Sequence, residues 1–367
     1  MSLQKPDRIP VMCQMTIGHM LQQLDVSGAE FWFDPRTFAD GLVQLRELYG
    51  FDGILVSLHG HRKDWREKVV KFETVDKVNI LTFDKFVMTF VRDDLPEVDY
   101  FEEPENPDLA DVDPDEIPPV IEYIPVSGGL HFDLDLDNKF EVFDLLHAEV
   151  GEAYSIHGEV TSPFDYLLDF LGYESALMAM IEDPDKCKAI LQRFTDGVVA
   201  LTKEMCAQHI DAIKISSPFA GMGFISPDFY REFILPYESQ FIAAAKEHGK
   251  FIYIHTCGAI DDRLEAMRES GASGLECLDP PPLGNVKLAD AIGRIGRDMF
   301  IKGNLDSVNT LLQGTEEEIE ADVRARLELG KQTGGYILST ACSIAPYVSR
   351  ERVQMLVALA KEHGRYS

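Results

Sequence analysis

The stretch IDAIKISSPFAGMGFISPDFYREFILPYESQFIAAAKEHGKFIYIHTCG, residues 210–258, contains one complete strand–helix–strand unit. IDAIKIS (210–216) is a short apolar, β-branched run, and KFIYIH (250–255) is another. Between them, Ser226-Pro227 opens a stretch of helical period that runs to 248: a capping side chain is followed by a proline suited to the first turn. Two strands joined by a crossover helix run parallel, so this unit predicts a parallel sheet.

The same rhythm extends in both directions. YSIHGEV (154–160) precedes the unit, and SGLECL (273–278), DMFIKG (298–303) and GGYILS (334–339) follow it. The helix 184–208 opens on Asp183-Pro184, and TFADGLVQLRELYG feeds the strand FDGILVSL near the N-terminus. Seven strands are visible, and one more hidden in the less regular first 150 residues completes a closed (β/α)8 TIM barrel. An open doubly wound sheet is the alternative. The chain is expected to form a single barrel domain over 1–367. Residues 66–137 break the rhythm with KVNILTF, KFVMTFV and the acidic run DDLPEVDYFEEPENPDLADVDPDEIPP, which read as an inserted hairpin and loop. That insertion is either a lid or docking surface or a solvated excursion.

Composition narrows the function. With 45% hydrophobic residues the chain buries a large core, and 34 Lys and Arg against 63 Asp and Glu give a formal charge of −29. So acidic a chain repels polyphosphates, which excludes nucleic acid as a partner. The N-terminal MSLQKPDRIPVM has no apolar leader and the six cysteines are scattered, so a cytoplasmic protein with free thiols is expected. No apolar run is long enough to span a bilayer.

In such a barrel the chemistry sits where strands end, so the residues just past each strand are the candidates. IHTCG places His255 and Cys257 at one strand end, both able to turn into the barrel mouth. Cys342 follows the strand GGYILS, and closely set strand ends in a closed barrel converge. Three N/S ligands leave a fourth position for water or substrate, the pattern of a catalytic zinc, and a thiol held there is a thiolate. Glu276 is a candidate for the fourth position or for catalysis. Cys277, facing the opposite side of a regular strand, is the rival third ligand. The residues alone also permit a hydrogen-bonded core histidine and packed cysteines. Asn304 and Asp306 in KGNLDS are further catalytic candidates, unless they serve the turn that Gly303 begins. His59 and His61, with Glu159 and Ser216, are the expected substrate contacts. The loop ISSPFAGMGFIS lacks the spacing of a phosphate-binding glycine motif.

RIPVM, GFDGILV, SPDFYREFILPYE, IHTCG, LECLDPPPLGNVKLADA, FIKGNLDS and GGYILSTACSIAP together resemble the uroporphyrinogen decarboxylase superfamily, and within it the zinc methyltransferase branch that serves corrinoid proteins. The resemblance covers nearly the whole chain. It implies a uroporphyrinogen decarboxylase-like barrel with its hidden strand near VMCQM, and zinc on His255, Cys257 and Cys342, the last in preference to Cys277. It further implies methyl transfer in which a partner protein supplies the corrinoid and a small molecule is methyl donor or acceptor. Self-association into a homodimer is left open. Two departures point away from the decarboxylases: MCQMTIGHMLQQL lacks the arginines that bind tetrapyrrole carboxylates, and Ala341-Cys342 stands where they carry glycine-histidine. A metal-free decarboxylase and a non-catalytic zinc barrel are the alternatives.

Overall fold

The computed structural model describes residues 1–127 and 129–366. Seven parallel strands form the main sheet: β1 (Gly53–Leu55), β8 (Ser155–Thr161), β9 (Ala212–Ser216), β10 (Phe251–Thr256), β11 (Gly274–Cys277), β12 (Phe300–Leu305) and β13 (Tyr336–Thr340). They pair in chain order, β1-β8-β9-β10-β11-β12-β13. The sequence places each of them within about three residues, because each is a short apolar run set between stretches of helical period.

The eighth stave is the segment around VMCQM. Val11 bridges Leu338 of β13 in parallel and Met15 bridges Ile344. Leu338 N–H donates to the Pro10 carbonyl at 2.9 Å, while on the other side Asp52 N–H donates to the Val11 carbonyl at 2.9 Å. The segment therefore bonds to both edges of the sheet and closes the TIM barrel.

Alternation along each strand sorts side chains between the barrel interior and the helical layer. In β10, Ile252 and Ile254 pack into the main core under the helices, while Tyr253 and His255 turn inward. A small apolar plug of Met12, Ala212, Tyr253, Phe300 and Ile337 fills one part of the interior.

The helix expected over 184–208 is Pro184–Cys206, with the Asp183 side chain capping Lys186 N–H. The helix expected over 226–248 starts on Ser226, whose hydroxyl caps Phe229 N–H, but it is not uniform. It passes through a π-helical turn at Tyr230–Ile234 before continuing as Leu235–Glu247. Pro236 has no N–H for the regular ladder, and the chain takes up the mismatch as one wider turn.

The insertion is more structured than the expected hairpin and loop. β2 (Lys71–Val75), β3 (Val78–Thr82), β4 (Phe86–Phe90) and β5 (Glu97–Tyr100) form an antiparallel sheet, and β6 (Tyr123–Ser127) pairs with β7 (Leu130–Asp133). The apolar alternation of KVNILTF and KFVMTFV reveals β3 and β4, whereas β2 is wholly exposed and carries no buried face to read. Among the described residues no helix is long and apolar enough to cross a membrane.

Closure depends on Asp52. Its carboxylate accepts Val11 N–H at 2.8 Å and both Arg8 guanidinium nitrogens at 2.8 and 2.7 Å. Asp52→Ala removes a bidentate, charge-assisted pair and leaves a backbone donor unmatched, so it should lower stability by about 2 kcal/mol. A urea midpoint equal to that of the parent protein would show that closure does not rely on this carboxylate.

Candidate metal centre

His255 is the penultimate residue of β10, which ends in Thr256, and Cys257 follows two residues on and on the same side. His255 Nε2 lies 3.3 Å from Cys257 Sγ, and Cys257 Sγ lies 3.8 Å from Cys342 Sγ in the loop after β13. The ligand atoms of these three residues all fall within 4.8 Å of one another. A tetrahedral zinc with Zn–S of about 2.3 Å sets two sulfurs ~3.8 Å apart and a nitrogen and sulfur ~3.6 Å apart. The donor set therefore has both the chemistry and the dimensions of such a centre.

Behind the triad lies an ordered line of charge. His255 Nδ1 faces Glu276 Oε2 at 3.1 Å, and Lys302 Nζ donates to the other Glu276 oxygen. All three are buried, with Lys302 fully so. Burial opposes ionisation of Glu276, but the adjacent Lys302 ammonium outweighs it and holds the carboxyl well below the usual range. The carboxylate fixes the Nδ1–H tautomer and leaves Nε2 facing the thiols.

Hydrogen bonds from Cys257 and Cys277 hold the Cys342 thiol far below its ordinary pKa. Burial and Lys214 press His255 toward neutrality, yet the adjoining thiols leave its pKa well above the ordinary imidazole value.

The centre opens into a cleft of about 430 Å³ whose lining includes His255, Cys257, Cys342, Glu159 and Ser216. Of the expected substrate contacts, Glu159 and Ser216 therefore reach it. Lys214 Nζ donates to Glu159 Oε2 at 3.1 Å and to Gln14 Oε1 at 2.8 Å. The insertion supplies one wall through Asp94, Leu95 and residues 124–127, so its position is that of a cover over the mouth.

Several expected residues lie elsewhere. His59 and His61 are fully buried among phenylalanines, His59 against Phe140 and Phe143 and His61 against Phe38 and Phe132. Burial pushes His59 down to about 4 and His61 down to about 3, so both are neutral packing groups and do not line the cleft. Asp306 accepts Val308 N–H and Asn309 N–H at 2.9 and 2.7 Å and the Asn309 amide at 2.8 Å, which makes it the organiser of a turn. Asn304 donates to the Leu278 carbonyl at 2.8 Å inside the barrel wall. Glu276 stands behind His255 rather than across the open side of the triad.

Cys277 is not cast to the far side. A φ of 81° at Cys277 and 54° at Leu278 breaks the alternation. The thiol is fully buried and grouped with Cys257 and Asp279 rather than with the His255 set. Burial pushes it well up, so it is a thiol beside a thiolate. Sequence reasoning missed Lys214, Lys302 and Asp165. The available signal was a lone lysine in an apolar strand, two residues before Ser216 or Asn304 on the inward face.

The sequence profile of the family described as uroporphyrinogen decarboxylase (URO-D) matches residues 118–363. A methylcobamide:CoM methyltransferase (MtbA) of Methanosarcina mazei is 25% identical over 362 residues, 98% of this chain and 95% of that protein. A second, MtaA of Methanosarcina barkeri, is 27% identical over 226 residues, which span 61% of this chain and 62% of the relative. A solved structure described as a methyltransferase from Methanosarcina mazei superposes with a TM-score of 0.72 at 21% identity, over 97% of this chain and 94% of that one, and confirms the fold. The relatives' names agree with the expectation of an enzyme of the methyltransferase kind.

The buried Lys302–Glu276 pair can be tested without any metal. In metal-free protein, Glu276→Leu strands the Lys302 ammonium in the barrel and should cost about 3–5 kcal/mol, whereas Glu276→Leu combined with Lys302→Met should recover most of it. Urea unfolding of the two variants reads the difference, and a double variant no more stable than the single one refutes the pairing.

Proposed function

From the membership of this chain in the uroporphyrinogen decarboxylase family, we propose that it is a zinc-dependent methyltransferase that works with a corrinoid protein. It moves a methyl group between a small methoxylated or methylated donor, the corrinoid and a thiol or tetrahydrofolate-type acceptor. The observation that carries this reading is the triangle of His255, Cys257 and Cys342, spaced for a tetrahedral metal at the floor of a cleft and backed by Glu276.

His255, Cys257 and Cys342 would hold the zinc. When bound, zinc supplies Lewis acidity, lowering the pKa of a thiol at the open position or polarising the heteroatom of a methyl donor. The chain's own part is orientation. Glu276 holds His255 Nδ1, and Lys302 holds Glu276, so the imidazole presents Nε2 without rotating. Met15, Ile17, Tyr173 and Phe219 give the cleft apolar walls that keep bulk water from the reacting group. The cobalt chemistry belongs to the partner's corrinoid.

A decarboxylase of polycarboxylates needs cations around its substrate, and the described residues of the cleft lining include neither Lys nor Arg. A purely structural zinc needs four saturated ligands. Glu276 is engaged by His255 and Lys302, and Cys277 lies outside the His255 set, which leaves one position open.

Protein purified without added metal should contain about one zinc per chain, and Cys342→Ser should lose most of it together with methyl transfer between methylcobalamin and a thiol. Glu276→Gln should keep the fold but bind zinc roughly 10–100-fold more weakly. A parent protein free of zinc by elemental analysis, and inactive after zinc is supplied, would overturn the proposal.

A further inference from the structure

Four observations about the cleft bear on what enters it. First, its described lining contains no lysine or arginine. The two interior ammonium groups are already matched, Lys214 to Glu159 and Lys302 to Glu276, and both lysines are fully buried. Arg92, in the insertion, is occupied by the carbonyls of Leu21, Leu24 and Val26 at the end of the helix Ile17–Gln23. An anionic group arriving in the cleft therefore finds no free lysine or arginine among the described residues of its lining.

Second, acids line the same space: Asp94, Asp165 and Asp169 join Glu159. Asp169 is engaged, accepting from Tyr123 Oη and facing His131 Nε2, each at 2.9 Å. Third, Asp165 is different. It is only 6% exposed, sits in the first turn of the helix Pro163–Leu171, and its Oδ2 has no hydrogen-bond partner. Among the acids of the described lining, this carboxylate oxygen calls for a partner, and a ligand in the cleft can supply one. Fourth, the remaining walls are apolar, from Met15, Trp32, Ile124, Tyr173 and Phe219.

We propose that this cleft takes uncharged or cationic substrates and rejects anionic ones, with Asp165 as the side chain that recognises the substrate's polar end. The proposal rests on the metal reading above. Burial and the neighbouring Glu238 push the Asp165 carboxyl well up, so it meets a neutral substrate as a hydrogen-bond donor. A cation in contact with it favours the ionised form, and the same residue then serves as counter-ion. Apart from the metal itself, an anion meets the carboxylate of Asp94 and finds no unpaired lysine or arginine in the described lining.

Three thiols of matched length separate charge from everything else: 2-mercaptoethanol, thiocholine and 2-mercaptoethanesulfonate differ only in the terminal group. Each is titrated into the full-length protein with cobalt in place of zinc, and binding is followed by the visible absorption of the cobalt–thiolate centre. The neutral and cationic thiols should bind at least about 10-fold more tightly than the sulfonate, as expected where like charges are brought together without compensation. Asp165→Asn is nearly isosteric, and an unchanged cobalt spectrum before thiol addition shows the centre is intact. In that variant thiocholine should lose most of its advantage while the sulfonate changes little. Equal or tighter binding of the sulfonate to the parent protein overturns the inference and leaves the metal reading standing. Failure of all three thiols to alter the spectrum of a stoichiometrically loaded centre overturns the metal reading itself. An Asp165→Asn variant with an unchanged thiol ranking removes Asp165 from the proposal.

Discussion

The hydrogen-bonded line from Lys302 through Glu276 to His255 is the interaction on which the candidate site depends, and strand register builds it. His255 pairs with Glu276 across β10 and β11, and Glu276 pairs with Lys302 across β11 and β12, so the three residues stand at one level of the wall. All three face inward because they share a parity along their strands. A slip of one residue at any of these pairings would turn the slipped strand's side chain out toward the helices. Fold and site are therefore not separate achievements of this sequence. The strand pairing that builds the barrel wall also aims Nε2 of His255 at the thiols of Cys257 and Cys342.

The interior tolerates these charges because they alternate. Glu159 pairs with Lys214 across β8 and β9, just as Glu276 pairs with Lys302 further around the wall. Two ammonium groups and two carboxylates balance, so neither pair requires a counter-ion from solvent. Isolated, any one of them would be costly to bury. Beside them the plug of Met12, Ala212, Tyr253, Phe300 and Ile337 fills the barrel with apolar bulk. A neutral, dry floor under an imidazole and two thiols makes each electrostatic contact at the centre stronger than it would be in water.

How much of this was legible depends on what sequence periodicity encodes. Alternation in KFIYIH fixes which residues face inward, and a His-x-Cys at its end places two donors on one side, so His255 and Cys257 are readable. Cys342 is less readable, since only closure of the barrel brings the loop after β13 to the loop after β10; strand order offers it with Cys277 as a rival, and the resemblance decides between them. Lys214 and Lys302 were passed over because parity shows that a side chain is inside without showing what it meets there. Cys277 was expected on the far side because a regular strand demands it, and the left-handed backbone at Cys277 and Leu278 removes that regularity. His59 and His61 look like loop groups in SLHGHRKD, but the aromatic side chains that bury them come from distant segments, Phe38, Phe132, Phe140 and Phe143.

The division of labour between barrel and insertion follows from rigidity. The metal-type donors sit on or just beyond strand ends, where backbone pairing on both sides limits movement. The insertion contributes Asp94, Leu95 and Ile124–Ser127 to the cleft wall, from loops and a hairpin that are not part of the barrel sheet. Arg92 is one tie between insertion and barrel, bonding the carbonyls of Leu24 and Val26 at 2.7 and 2.6 Å, and Tyr347 bonding Asp93 is another. Changes in that wall alter what fits the cleft without touching register, closure or the charge line. A barrel arranged in this way can keep one reacting centre while its insertion changes the compound presented to it. The strand ends thus carry the metal-type donors, while the insertion and the buried Asp165 contribute to the cleft wall.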